Sequence, residues 1–392
     1  ALAFYNVWGG DTAYSVGEYI NSGNALTIVS GILLSVVLAF LTGHLLMYIS
    51  RIIFSFRYHK IFSRYGALWC GITIAGIIYF TVFKGLKSSG LVPAELIEYV
   101  NNNTAISLLI LWAGSSVLLW VLQRLKVNIL RVAILAGTFS LALAFAGNDL
   151  VNFIGVPYAG YDSYMIAQAS DVPIESMSSL SHPTTANFWI MCAAGLVMVI
   201  TLFMSKKAMR VIETERKLSS QSEEAPTNSE ATMLSRGIVR GARAISNVVE
   251  AITPKAVRNF IETRFVPLSE EERGDANYDL IRATVNLTAA AILISIGTQL
   301  KLPLSTTYVV FMVSMGTSLA DRAWGRESAV YRITGVTTVI MGWFVTAVGG
   351  FIIALAVTLA LAYGGNIAII AITLVCLGLV IKSNVKPKKE EE

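Results

Sequence analysis

Long apolar runs alternate with short charged segments along most of the chain. Several runs reach about 20 residues, the length of helix that crosses the hydrocarbon core of a bilayer. The predicted spans are 25–50, 65–84, 104–122, 128–147, 186–205, 333–361 and 365–382, with a longer apolar tract at 280–320. The pattern therefore predicts an all-α polytopic membrane protein.

The polar segments between these runs divide the chain into five regions. Residues 1–24 form a Gly-rich extracytoplasmic segment, and 25–205 hold the first group of spans. Residues 206–275 form a hydrophilic cytoplasmic insert, 276–382 a second membrane region, and 383–392 a cytoplasmic tail. The apolar positions in 236–266 recur at helix spacing among arginines and lysines, which favours amphipathic helices on the membrane surface. We interpret the insert as a connector, with a regulatory or partner-binding segment as the alternative.

The charges are few and unevenly placed, and they predict the topology. Hydrophobic residues make up 55% of the chain and charged residues only 14%. Lysine and arginine concentrate in 51–64, 123–131, 206–275, 321–332 and the tail, as expected of cytoplasmic segments. The net charge of +5 follows from these loops and does not suggest nucleic-acid binding. Cytoplasmic and extracytoplasmic segments then alternate along the chain, provided that the tract 280–320 enters and leaves on the same side of the membrane. We expect this membrane to be the inner or plasma membrane.

That tract is interrupted by Lys301 and by Pro303, which should break a helix that runs up to Leu300. It could form two full spans or a re-entrant hairpin with Lys301 near its tip, and we favour the hairpin. Three hydroxyl residues follow, Ser305, Thr306 and Thr307. In the first turn of a new helix they would lie beside unpaired N–H groups, where anions bind. The alternative is a Pro-kinked helix whose hydroxyls bond to their own carbonyls.

A second polar cluster, Asn148, Asp149 and Asn152, interrupts the apolar run that begins near residue 128. A carboxylate at such a position suggests a functional site. Carboxylate and amide oxygens suit a hard cation such as Na⁺, and glycines and a proline within 147–157 would let the backbone leave the helix. The alternative is an ordinary helix end that Asn and Asp cap at the interface.

The remaining polar residues add less to the picture. Asn286, Thr298 and Gln299 lie on the helix that leads into the break and could line a cavity or bond to neighbouring helices. The three cysteines lie in separate apolar runs without metal spacing. The sequence contains no Ser/His/Asp arrangement, HExxH motif or phosphate loop. We therefore expect neither an enzyme nor a cofactor.

Taken together, three stretches resemble the inorganic phosphate transporter (PiT) family. They are Gly-Asn-Asp-Leu-Val-Asn at 147–152, Leu-Pro-Leu-Ser-Thr-Thr at 302–307 and Met-Gly-Trp-Phe-Val-Thr at 341–346. The resemblance covers about 125–360, and 25–124 more loosely. It implies a secondary transporter with inverted repeats, broken helices and a re-entrant hairpin. The family carries the first two motifs once in each half, whereas each occurs once here, as in an N-terminally incomplete bacterial member.

The resemblance also implies roles for individual residues. Ser305, Thr306 and Thr307 would bind phosphate. Asn148, Asp149 and Asn152 would bind the coupling cation, with Asp149 as the Na⁺ ligand. Two departures leave the coupling ion open between Na⁺ and H⁺: Asn286 stands where many members have Glu, and Tyr308 where many have His.

The predicted function is a cation-coupled symporter that imports inorganic phosphate by alternating access. One alternative is a transporter of another oxyanion such as sulfate, and another is a non-transporting membrane sensor of phosphate. The expected partners are phosphate, Na⁺ or H⁺ and the lipid bilayer. The sequence leaves the oligomeric state open, with a homodimer as one alternative.

Overall fold

A computed structural model describes residues 22–86, 92–169, 187–204, 254–266, 279–300, 302, 304–322 and 328–385 of the protein. These residues are almost entirely helical. The helices are α1 (Ser22–Phe54), α2 (His59–Ile77), α3 (Ala94–Asn102), α4 (Thr104–Arg124), α5 (Ile129–Ala169), α6 (Phe188–Met204), α7 (Lys255–Arg264), α8 (Leu280–Gln299), α9 (Thr306–Ala320) and α10 (Ser328–Val385), and α2 continues as a π-helix over Ile78–Gly85.

Six helical segments in the described part of the chain are long and apolar enough to cross a membrane: Ser22–Phe54, His59–Gly85, Thr104–Arg124, Ile129–Ile166, Leu280–Gln299 and Met341–Lys382. Two shorter apolar helices, Phe188–Met204 and Thr306–Ala320, accompany them. The prediction of an all-α membrane protein is confirmed at this level.

The chain divides into two compact units, 1–27 with 227–243 and 326–392, and 28–226 with 244–325. The first unit contains α10, which has a non-helical residue, Gly365, with φ 52° and ψ −139°. Only glycine adopts that backbone conformation readily. It separates two apolar arms that correspond to the predicted spans 333–361 and 365–382.

In the second unit, α8 forms much of the core. It packs against α5, α9, α2 and the π-helical turn that ends α2. Its Ile281, Ala290, Ala291 and Ile294 are fully buried. Outward-facing apolar residues of α4 and α6 are exposed, as expected of helices whose outer faces contact lipid.

Small residues let α1 and α9 pack backbone against backbone. Ala39 and Gly43 lie four residues apart on α1, as Gly316 and Ala320 do on α9. A Cβ atom on Gly43 would lie 2.5 Å from the Val313 carbonyl oxygen, and one on Gly316 would overlap the Phe40 carbonyl oxygen. Such small residues four apart are typical of close helix packing in membranes.

We therefore expect Gly316→Ala to lower the free energy of unfolding by about 1–3 kcal/mol, because the added methyl group must push α1 away. The matched control is Gly114→Ala on α4, where a Cβ atom meets nothing within 4 Å. That change should be neutral or stabilising by up to about 1 kcal/mol. Denaturant unfolding in detergent measures both, and equal effects would contradict the close crossing.

Four charged residues with buried side chains, Arg51, Asp279, Arg282 and Asp321, form what we call the four-charge cluster. Arg51 comes from the end of α1, Asp279 and Arg282 from the start of α8, and Asp321 from the end of α9. Arg51 donates from Nε and Nη2 to the two Asp321 oxygens at 2.8 and 2.7 Å. It also donates from Nη2 to Asp279 Oδ2 at 2.7 Å. One guanidinium therefore bridges the two ends of the α8–α9 pair.

Arg282 completes the cluster by donating from Nε to Asp321 Oδ2 at 2.8 Å, and its Nη2 lies 2.7 Å from the same oxygen in an ion pair. Asp279 also caps α8, since its Oδ1 accepts from the backbone N–H groups of Ile281 and Arg282. Burial raises the pKa of Asp279, but the Arg51 and Arg282 guanidiniums lower it by more, so its pKa lies below the ordinary carboxyl value. The two cations and two anions balance.

Two expectations from the sequence are wrong, one about the burial of Arg51 and one about the backbone of α5. Arg51 was assigned to a basic loop, whereas it is fully buried because Asp279 and Asp321 neutralise it. The backbone was expected to leave the helix within 147–157, yet α5 runs on through Pro157 to Ala169. The Asn-Asp cluster therefore lies inside a helix and exposes no free carbonyls of a broken one.

One described part of the insert, 254–266, contains α7 and is largely exposed. The helix ends beside Phe265, whose ring stacks on Tyr48 of α1 at 5.3 Å between centroids. The Arg322 guanidinium lies 5.1 Å from the centroid of the same ring. This end of the insert thus packs near the four-charge cluster. The rest of the predicted amphipathic stretch 236–266 lies outside the described residues.

Candidate functional site

The predicted break in the tract 280–320 is present between α8 and α9. The backbone N–H of Leu302 donates to the Gly297 carbonyl at 3.0 Å, which turns the chain back. Leu304 is buried directly on Gly297, which has no side chain to obstruct it. Ser305 then adopts an extended conformation as the N-cap of α9. We call α8, this break and α9 the hairpin; Lys301 and Pro303 themselves lie outside the described residues.

The hairpin tip meets the Asn-Asp cluster of α5. Thr306, the first residue of α9, donates its hydroxyl proton to Asp149, with Oγ1 3.1 and 3.3 Å from the two carboxylate oxygens. These residues are 157 positions apart in the chain. Thr306 is only 4% exposed, and Asp149 is partly buried. The fold thus joins the two clusters that the sequence pointed to separately.

A second contact links the same elements on the α8 side. Asn148 Nδ2 donates to Thr298 Oγ1 at 3.5 Å, a long hydrogen bond. Asn148 is buried, whereas Thr298 and its neighbour Gln299 are exposed. Thr298 is therefore at the site, and Gln299 lies beside it on the surface of the described structure.

The other predicted ligands are placed less directly. Ser305 is half-buried next to Thr306, and its side chain makes no capping hydrogen bond. Thr307 is exposed. Asn152 lies one turn beyond Asn148 on α5, and its side chain is outside the described part of the structure.

Asn286 lies away from the tip. It is 12 residues before Thr298 on α8, about 18 Å along the helix axis. Its Oδ1 accepts a hydrogen bond from Thr317 of α9 at 2.6 Å. The structure thus places Asn286 between the two arms of the hairpin, where it joins α8 to α9.

The chemistry of the tip combines two opposite preferences. The start of α9 has backbone N–H groups without helical partners and the positive end of the helix dipole, which favour an anion. Asp149, hydrogen-bonded to the same turn, repels an anion and attracts a cation. A bound cation would remove that repulsion. The described residues contain no group of three or more His, Cys, Asp or Glu side chains placed to hold a metal ion.

The site and the four-charge cluster lie at opposite ends of the hairpin. The 20 residues of α8 separate them by about 30 Å, close to the thickness of the hydrocarbon core. Sequence reasoning missed the cluster, because Arg51 was counted as a loop charge and its three partners were not singled out. One signal was present: Asp279 and Asp321 each stand directly beside an apolar helix, at opposite ends of one tract.

Comparison of the chain with protein-family models, with curated proteins and with solved structures finds no match.

Proposed function

We propose that the protein is a secondary transporter that imports inorganic phosphate together with a cation, most simply Na⁺. The observation that supports this is the hydrogen bond between Thr306 and Asp149. It places the Thr306 hydroxyl, at the N-terminus of α9, 3.1 Å from an oxygen of the Asp149 carboxylate. A site of this kind suits a cation and an anion together better than either alone.

The break at the hairpin tip supports transport in the same way. Helices interrupted in the membrane, with half-helix ends at the substrate, are typical of secondary transporters. A divalent anion that moves inward works against a negative membrane potential, at about 2.3 kcal/mol per charge for 100 mV. Coupling to cations offsets that cost. Phosphate would bind the first turn of α9 through Ser305, Thr306 and Thr307, and Na⁺ would bind Asp149 with Asn148 and Asn152.

The geometry also suggests an arrangement in the membrane. In our proposal the four-charge cluster lies toward the cytoplasm, with the basic loops, and the site lies within the membrane. The PiT-like inverted repeat, with a second hairpin opposite this one, belongs to the same proposal.

Uptake of radiolabelled phosphate by the full-length protein in proteoliposomes tests the substrate. Excess unlabelled phosphate should abolish uptake of the label, whereas sulfate at the same concentration as that excess should leave most of the uptake intact. A site with hydroxyl donors and a carboxylate should prefer phosphate, since the carboxylate can accept a hydrogen bond from the P–O–H group that phosphate carries and sulfate lacks at neutral pH. Displacement by sulfate as effective as by phosphate would assign the site to oxyanions generally.

A further inference from the structure

The Thr306 hydroxyl is shared between the two halves of the site. A hydroxyl has one proton to donate and two lone pairs to accept. Here the proton is directed at the Asp149 carboxylate. Thr306 Oγ1 lies 3.1 and 3.3 Å from the two carboxylate oxygens, so either oxygen can accept. The same residue begins α9, so its side chain lies beside the unpaired N–H groups of that helix. In this arrangement the hydroxyl has no proton left for an anion.

We propose that Thr306 is the coupling residue of the site: its hydroxyl donates to Asp149 without a cation and turns to the anion once a cation occupies the carboxylate. This inference rests on the proposed function and adds how the two substrates depend on each other. A cation at Asp149 replaces the proton as the partner of the carboxylate oxygens. Thr306 Oγ1 then offers a lone pair to the cation and its proton to the anion.

Two consequences follow from the change of partner. The cation binds before the anion, because without it the Asp149 charge repels the anion and holds the hydroxyl proton. Each substrate also raises the affinity for the other by the same factor, since coupling free energies are reciprocal. Such factors are commonly about 5–150-fold.

The neighbouring hydroxyls do not share this geometry. Thr307 is exposed, and Ser305 precedes the helix with an extended backbone. Within the described part of the chain, Thr306 is the one hydroxyl of the three with a hydrogen bond to Asp149. The coupling role is therefore assigned to Thr306, and Ser305 and Thr307 are left to contact the anion alone.

A simpler role must be separated from this one. In this simpler role, the Thr306–Asp149 hydrogen bond is a structural contact that fixes the hairpin tip to α5 and does nothing more. Loss of a structural contact would weaken phosphate binding to the same extent at every Na⁺ concentration. Loss of a coupling residue removes the dependence of phosphate affinity on Na⁺.

The test is the phosphate Kd of the full-length protein at low and at saturating Na⁺, with choline as the replacement cation. Wild-type protein and Thr306→Ser should bind phosphate at least about fivefold more tightly in Na⁺. Thr306→Val should lose most of that difference. The control Thr307→Val should weaken phosphate binding about equally in both conditions and keep the Na⁺ effect.

Three results would be decisive. A Thr306→Val variant with the wild-type Na⁺ effect overturns the coupling role. A Thr307→Val variant that loses the effect as completely as Thr306→Val also overturns it. Absence of phosphate binding to the wild type at any Na⁺ concentration would instead overturn the proposed function. Should Thr306→Val fail to fold, Thr306→Cys serves in its place, because a thiol keeps a similar size but is a much weaker donor.

Discussion

Asp321→Asn should destabilise the protein by about 3–5 kcal/mol, the cost of breaking a buried ion pair by removing one partner. The substitution keeps the shape and removes one negative charge from a fully buried position. It leaves Arg51 with Asp279 alone, and it takes from Arg282 the carboxylate to which it donates. A buried guanidinium without a counter-ion cannot discard its proton, since arginine stays charged in proteins.

Denaturant unfolding in detergent measures this loss. The matched control is Arg64→Leu, which removes an exposed guanidinium from the first turns of α2 and should change the unfolding free energy by less than about 0.5 kcal/mol. A second variant, Arg282→Met combined with Asp321→Asn, restores the balance of charge in the cluster. It should recover part of the loss. A cost for Asp321→Asn no larger than that of the Arg64 control would show that the four-charge cluster does not hold the base of the hairpin.

Asp149→Asn should reduce Na⁺-dependent phosphate uptake about 10–100-fold. Hydrogen bonds and contacts to a charged group are worth about 1.5–3 kcal/mol, and each 1.4 kcal/mol is tenfold in a binding constant. The amide can still accept from Thr306, so the tip should keep its contact with α5. What it loses is the charge that attracts the cation.

The control for this change is Asp162→Asn, which neutralises another carboxylate on the same helix 13 residues further on. That distance is about 20 Å along α5, too far to reach the site. Initial rates of uptake over a range of Na⁺ concentrations compare the two variants. Uptake by Asp149→Asn with its normal Na⁺ dependence would remove Asp149 from the cation site.

Hydrophobic periodicity predicted most of the helices because spans of about 20 apolar residues have few other stable structures in a membrane. The break before Thr306 was also predictable, since Pro303 removes a backbone donor wherever it stands. Glycine gave a weaker signal. Gly365 does interrupt α10, whereas Gly147 and Gly155 lie inside a continuous α5. A helical glycine costs only about 1 kcal/mol relative to alanine, so packing decides whether the helix continues.

Contacts between residues far apart in the chain could not be predicted from the sequence, for a different reason. The distance between Thr306 and Asp149 depends on how the hairpin packs against α5, and the pattern of either helix says nothing about that. The four-charge cluster shows the same limit. Arg51 and Asp321 lie 270 positions apart, and only the parallel packing of α1 and α9 through Gly43 and Gly316 makes them neighbours. Exposed loop charges and buried ion pairs use the same residue types, so the sequence alone does not distinguish them.

The most direct test of cation-coupled phosphate transport is the accumulation of labelled phosphate in proteoliposomes that contain the full-length protein, with an inward Na⁺ gradient imposed and dissipated. We expect phosphate to rise above its external concentration only while the gradient lasts, and to stay at equilibrium when choline replaces Na⁺. A pH gradient imposed without Na⁺ serves as the comparison and should drive no accumulation. Phosphate that equilibrates without accumulating under either gradient, or does not enter at all, would contradict the account.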